Sequence, residues 1–177
     1  MPDPQRRWHR KTLRWRGYDY SSLATYFFTI CTYKRDPVLS SVTADGSLHL
    51  KPAGNVVHNV WQNLPDRFAS VQPVTFMTMP DHVHGILRIG QIYDQDLDNI
   101  ASSDQPTLSE VIGAFKSIAA INARRTIGDT RKQPFWQRSF NDRVIRLDEE
   151  LDRLVWYVEG NPIRWANARQ DDRFHSW

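Results

Sequence analysis

The chain of 177 residues falls within the ~100–200 residues usual for one domain, so a single core is expected and a second independent domain is not. Hydrophobic residues at 40%, aromatics at 12% and charged residues at 24% exclude wholesale disorder, while a net charge of +3 is too small to name a partner. One cysteine, Cys31, excludes an internal disulfide and a cysteine-ligated zinc site and points to the cytoplasm; no apolar run approaches the ~20 residues of a membrane helix or stands where a signal peptide would.

Charge is concentrated at the start of the chain. Arg6, Arg7, Arg10, Lys11, Arg14 and Arg16 face a single acid, Asp3, with Trp8 and Trp15 between them. The expectation is a basic arm over residues 1–24, which either frays into solvent or lies on phosphates while its indoles stack on bases. A domain over 25–165 and a tail over 166–177 complete the expected organisation.

Thr25–Tyr33, rich in β-branched and aromatic residues and closed by Arg35-Asp36-Pro37, predicts a buried strand. A short strand is predicted near Ser47–Leu50, after the Asp45-Gly46 turn signal. Val56, Val57, Val60, Trp61 and Leu64 fall at helical spacing before Pro65, so a helix is predicted over 53–64. Val74–Met79 and Val83–Ile89, separated by Pro80-Asp81, predict two antiparallel strands near the sheet centre. The acidic run 91–104 contains no Lys or Arg and reads as a loop.

Thr107 and Glu110 have capping-box spacing, and Leu108, Val111, Ile112, Phe115, Ile118 and Ala119 form an apolar face behind them, ended by Gly128. A last helix is predicted from Asp148, capped by its side chain, through Leu151, Leu154, Val155 and Val158 to Gly160-Asn161-Pro162. This order predicts an α+β sandwich with helices on one face of the sheet and the other face open to a ligand.

The chemistry concentrates in Met79-Pro80-Asp81-His82-Val83-His84-Gly85-Ile86. Side chains two apart on a strand share a face, so His82 and His84 would present two imidazoles to one divalent ion. The alternative is a pair of structural histidines bonded to backbone carbonyls, and the spacing alone does not separate the two. Ile86 stands where a histidine-triad nucleotide hydrolase needs a third histidine, and no H-E-x-x-H helix is present.

The ordered set of Arg16–Ser21 before the first strand, Met79–Ile86, Gly113–Ser117, Phe135-Trp136-Gln137-Arg138, Val144-Ile145-Arg146 and Tyr157 through Asn161-Pro162 resembles the single-tyrosine HUH transposases, in particular the REP-associated tyrosine transposases and their insertion-sequence relatives. The resemblance spans about Arg10 to Trp165. It implies a ferredoxin-like α+β sandwich, with a central antiparallel sheet, helices packed on one face and the histidine pair on a central strand. It further implies Mg2+ or Mn2+ at His82 and His84, and single-stranded or hairpin DNA as partner. The reaction implied is attack of a tyrosine on a phosphate at the foot of the hairpin, leaving a 5′-phosphotyrosine and a 3′-hydroxyl. A monomer is preferred over a homodimer.

The departure from the resemblance lies at the nucleophile. In Trp136-Gln137-Arg138-Ser139-Phe140-Asn141-Asp142-Arg143, Phe140 and Asn141 occupy the places where the family pattern leads us to expect tyrosine, and Arg143 stands in place of a frequent histidine. Three readings follow. The protein is an inactive binder of hairpin DNA, which is favoured; or another tyrosine acts, Tyr18, Tyr20 or Tyr157, the last read as structural; or metal-bound water cleaves the strand. Asp142 is weighed as a further metal ligand and read instead as a solvent-facing or salt-bridged acid. Lys116, Arg138, Arg143 and Arg146 are the residues expected to contact DNA phosphates, among a wider set of cations in the second half of the chain.

Overall fold

A computed structural model describes residues 24–90 and 105–174. The basic arm with Tyr18 and Tyr20, the acidic run 91–104 and residues 175–177 lie outside the described residues. The elements are β1 (Ala24–Cys31), β2 (Ser40–Val42), β3 (Leu48–Leu50), α1 (Pro52–Gln62), α2 (Leu64–Arg67), β4 (Val71–Thr78), β5 (His82–Ile89), α3 (Leu108–Ile127), β6 (Asn141–Ile145), α4 (Asp148–Glu159) and α5 (Asn161–Phe174).

The main sheet runs β4-β5-β1-β6 with every neighbouring pair antiparallel. Leaving aside the small β2-β3 hairpin, the order of strands and helices through β6 is the βαββαβ arrangement of a ferredoxin-like sandwich. β5 is central, as expected for the strand that carries the histidines, whereas β4 forms an edge rather than lying near the centre.

Alternation along β1 and β5 sorts their side chains onto two faces. Tyr26, Phe28 and Ile30 join Val83, Leu87 and Ile89 beneath α1 and α3, where they meet Val57, Trp61, Val111, Ile112 and Phe115 in the principal core. Each large side chain buried there contributes on the order of 1.5–3 kcal/mol. Trp61 stacks on Phe76 at 4.6 Å between ring centroids, and Phe115 meets both edge-on. Gly85 sits opposite Phe28 in the register, and a Cβ there would lie 2.4 Å from the Phe28 ring, so only glycine lets that ring cross β5.

The opposite face carries a second, smaller core. Ile86, Ile145 and Val158 are buried there with Phe27, Met77, Leu151, Leu154 and Val155, so α4 covers part of the face that the sequence left open. The α1 and α3 layer is therefore joined by a helix across the sheet.

The α3 capping box forms as predicted, with Thr107 and Glu110 bonded reciprocally, and Gly128 ends the helix with a left-handed φ of 64°. Other expectations need correction. The sequence pattern does not predict β6, because Asn141–Ile145 is only five residues long, opens on three polar residues and lacks an alternating apolar pattern. The 53–64 helix breaks at Asn63 into α1 and α2. Asp148 does not cap α4. Leu147 holds the cap position without a side-chain bond, and Glu150 reaches back to the Arg146 amide instead. Gly160-Asn161-Pro162 ends α4 but also begins α5, since proline is tolerated in a first helical turn.

Candidate functional site: a paired-imidazole centre under α4

His82 and His84 project from β5 to the α4 side of the sheet, 6% exposed each, with their Nε2 atoms 3.1 Å apart. Each ring is fixed from behind. Asp81 Oδ1 lies 2.6 Å from His82 Nδ1, and Thr29 Oγ1 lies 2.8 Å from His84 Nδ1. Thr29 is the β1 residue in register with His84, so the strand pairing itself delivers the hydroxyl. Asp81 is anchored in turn by Arg35 Nε at 3.0 Å. Arg35 and the preceding Lys34 both have left-handed backbones, with φ of 58° and 54°, a conformation that costs energy away from glycine. Arg35 also donates to Cys31 Sγ.

These contacts define one hydrogen-bond chain. With Asp81 ionised and no metal bound, His82 donates from Nδ1 and offers an Nε2 lone pair, while His84 donates from Nε2 and accepts the Thr29 hydroxyl at Nδ1; in the other tautomer His84 donates from Nδ1 to Thr29 Oγ1, which frees both Nε2 lone pairs for a metal ion. Burial, with His82 and Arg35 adding repulsion, pushes the His84 pKa down to about 3, so that ring stays neutral at physiological pH.

The donor set fits a divalent ion. Two imidazoles at right angles around an ion with metal–nitrogen distances of ~2.0–2.1 Å place their nitrogens ~3 Å apart, close to the separation found. A metal-binding histidine usually donates its other ring N–H to a carboxylate, a backbone carbonyl or water; Asp81 is such an acceptor behind His82, and the Thr29 hydroxyl oxygen stands in the same place behind His84. Among the described residues no group of three His, Cys, Asp or Glu side chains forms a metal cage. Asp142 is in register with Phe28 and so belongs to the α1/α3 face, away from the pair.

Aromatic rings enclose the centre. Phe27 stacks on His84 at 5.5 Å, Trp165 of α5 lies 5.8 Å from His82, and Tyr157 of α4 meets His84 edge-on at 5.6 Å. Arg164 holds Tyr157 in two ways: its guanidinium lies 4.8 Å from the ring centroid, and its Nη2 donates to the Tyr157 carbonyl at 2.5 Å. Phe140 packs against the α1/α3 core, and Asn141 lies opposite Thr29 on the histidine face. Among the described residues, Tyr157 is thus the tyrosine that the fold brings to the histidines.

The expected DNA contacts fall into two groups. Arg143 and Arg146 lie on or beside β6 at the start of α4, and Arg143 pairs with Glu150. Arg138 is exposed in the loop before β6. Lys116 supports that loop from α3, donating to the carbonyls of Gln137 and Arg138 at 2.8 and 3.0 Å, and burial lowers its pKa. Asp81, Thr29 and Arg35 carried no role in the sequence reading. Asp81 stood inside the quoted motif, but the partner of His84 depends on a strand register that no local pattern reveals.

No protein-family model matches the chain. It is 29% identical over 164 residues to an uncharacterised protein of Haemophilus influenzae, a match covering 89% of this chain and 90% of that protein. A crystal structure described as a proposed transposase from Deinococcus radiodurans aligns with 83% of this chain and 95% of its own at 17% identity and a TM-score of 0.49. A REP-associated tyrosine transposase bound to a REP hairpin aligns over 85% of this chain and 73% of its own at 16% identity, with a TM-score of 0.54. The antiparallel sheet, the helices packed on it and this likeness together establish a transposase-like α+β fold.

Proposed function

We propose that the protein is a metal-dependent DNA strand transferase acting on single-stranded or hairpin DNA, with His82 and His84 as metal ligands and Tyr157 as nucleophile. The observation that carries this reading is the contact of the Tyr157 ring with His84. It brings a hydroxyl-bearing side chain to a preformed pair of imidazoles, and favours attack by a tyrosine over the inactive binder that Phe140 and Asn141 suggested. The fold shared with a hairpin-bound transposase supports DNA as the substrate.

Mg2+ or Mn2+ at His82 and His84 would, when bound, supply positive charge to the oxygens of the scissile phosphate. Asp81 and Thr29 keep both rings oriented, so little reorganisation is needed at the moment of reaction. Tyr157 Oη forms a bond to phosphorus as the bond to the 3′-oxygen breaks. The tyrosine proton passes to solvent and the departing 3′-oxygen takes one up. Arg164 fixes Tyr157, while Arg138 and Arg146 contribute positive charge that positions the strand without reading its sequence.

The test is incubation of the full chain with labelled hairpin DNA carrying single-stranded flanks, with Mn2+, resolved on a denaturing gel. A covalent protein–DNA species is expected, absent in Tyr157→Phe and in His82→Ala. Cleavage without an adduct would assign the attack to water. Intact DNA that is still retained in a native gel would reduce the protein to a DNA-binding role.

A further inference from the structure

The flank of α4 that carries Tyr157 leads into a cleft that the chemistry above does not use. Residues three and four apart share a helix flank, so Tyr157, Leu154, Glu150 and Leu147 stand in one row. Where that row passes β6, Arg143, Leu147, Glu150, Arg153 and Leu154 line an open cleft of about 320 Å³, at the lower end of the ~300–1,000 Å³ of small-ligand sites. Its centre lies one to two helical turns from Tyr157, ~5–11 Å along the axis, a separation that one or two nucleotides of an unpaired strand can cover.

Two arginines and one glutamate line the cleft, and each arginine has an acidic partner, Arg153 with Glu149 at 3.8 Å and Arg143 with Glu150. Arg143 Nη2 lies 2.5 Å from Glu150 Oε1, and Glu150 Oε2 accepts from the Arg146 amide at 3.4 Å, which ties the carboxylate to the start of the helix. Leu147 is 65% exposed, an apolar surface that folding leaves in water beside this ion pair. A phosphate would find Arg143 already neutralised. A flat uncharged ring with donors and acceptors along its edge finds leucine side chains for its face and an Arg–Glu pair for its edge, the pairing chemistry by which proteins read bases.

We propose that this cleft is a nucleobase subsite for the strand being cleaved, taking a base of the single-stranded flank one or two nucleotides from the phosphate that Tyr157 attacks. The inference rests on the DNA reading above. It gives the helix that carries the nucleophile a second task, holding the substrate strand in line.

The test compares binding of the full chain to oligothymidylate dT12 and to a 12-mer with the same phosphates and stable abasic sugars, by fluorescence anisotropy. The wild type is expected to prefer dT12 by about fivefold or more. Leu147→Ser, at an exposed position where folding is not at risk, is expected to lower that preference about threefold while leaving the abasic affinity unchanged. Tyr157→Phe is expected to keep the preference. Undiminished preference in Leu147→Ser would overturn the subsite and leave the DNA reading standing, whereas a wild type that bound neither oligonucleotide would overturn both. Cross-linking with 4-thiothymidine in place of thymidine gives an independent readout. An adduct on the peptide spanning 147–154 supports the subsite, and an adduct confined to other peptides overturns it.

Discussion

The Tyr157 ring meets the His84 imidazole edge-on, with 5.6 Å between centroids and 64° between planes, although one residue sits on α4 and the other on β5. The two elements meet because Leu151, Leu154, Val155 and Val158 lay α4 across Phe27, Met77 and Ile86. Burial of that apolar stripe therefore sets the position of Tyr157, the proposed nucleophile, and its place at the histidines depends on the second core as much as on the motif that carries them.

Arg164 is expected to act as a positioning residue. It bonds the Tyr157 carbonyl, lies over the Tyr157 ring and also covers Trp156 at 5.4 Å. Arg164→Ala should slow formation of the covalent adduct tenfold or more, since small misplacements of a reacting group carry penalties on the order of 10²-fold. Affinity for uncleaved hairpin DNA should stay within about twofold of wild type, in keeping with a contact that orients the nucleophile and not the strand. Single-turnover gels beside native binding curves separate these effects, and equal losses in both would remove the positioning role.

Asp81→Asn is expected to weaken Mn2+ binding ~10–100-fold, the usual effect of losing the carboxylate behind a metal-binding histidine. The substitution removes the negative charge shared by His82 and Arg35 while conserving shape. Isothermal titration of the full chain with MnCl2 measures it. Unchanged affinity would mean that His82 needs no such support.

The His84 pKa of about 3 predicts a specific acid sensitivity. The unfolded chain takes up this proton near pH 6.5, and the folded chain resists it down to about pH 3. The contribution is thus complete above pH 6.5 and is lost as pH falls towards 3. Urea unfolding at pH 7, 5 and 4 in the absence of metal should show stability declining over this window. The decline should be shallower in His84→Gln; an identical slope would place the acid sensitivity in the carboxylates.

Lys116 and Arg138 are expected to separate under salt. Lys116→Met leaves the carbonyls of Gln137 and Arg138 without their donor and should cost about 1–3 kcal/mol of stability, with the salt dependence of DNA binding unchanged. Arg138→Gln should leave stability within about 0.5 kcal/mol and reduce the slope of log affinity against log salt by about 1. Denaturation curves and salt titrations of hairpin binding check both, and a reduced slope in Lys116→Met would move it among the phosphate contacts.

Much of the architecture is legible locally. The apolar run of β1, the paired runs of β4 and β5, the Thr107–Glu110 box and the Gly128 stop are each written in a few consecutive residues, and each appears where its pattern places it. The histidine pair is legible for the same reason, since alternation alone puts His82 and His84 on one face. β6 and α5 are not. A short, largely polar edge strand owes its existence to its pairing with β1, and Gly-Asn-Pro punctuates two helices as readily as it ends one.

From sequence alone come the helix and strand patterns, the shared face of the two imidazoles and an ordered set of motifs, because these rest on periodicity and residue chemistry within short windows. Tertiary structure alone decides that Thr29 and Asp81 orient the rings, that Phe140 belongs to the opposite core and that Tyr157 stands at the histidines. Those relations depend on strand register and on which face of the sheet a helix covers. Both are set by burial summed over the whole chain, and no short window contains that sum.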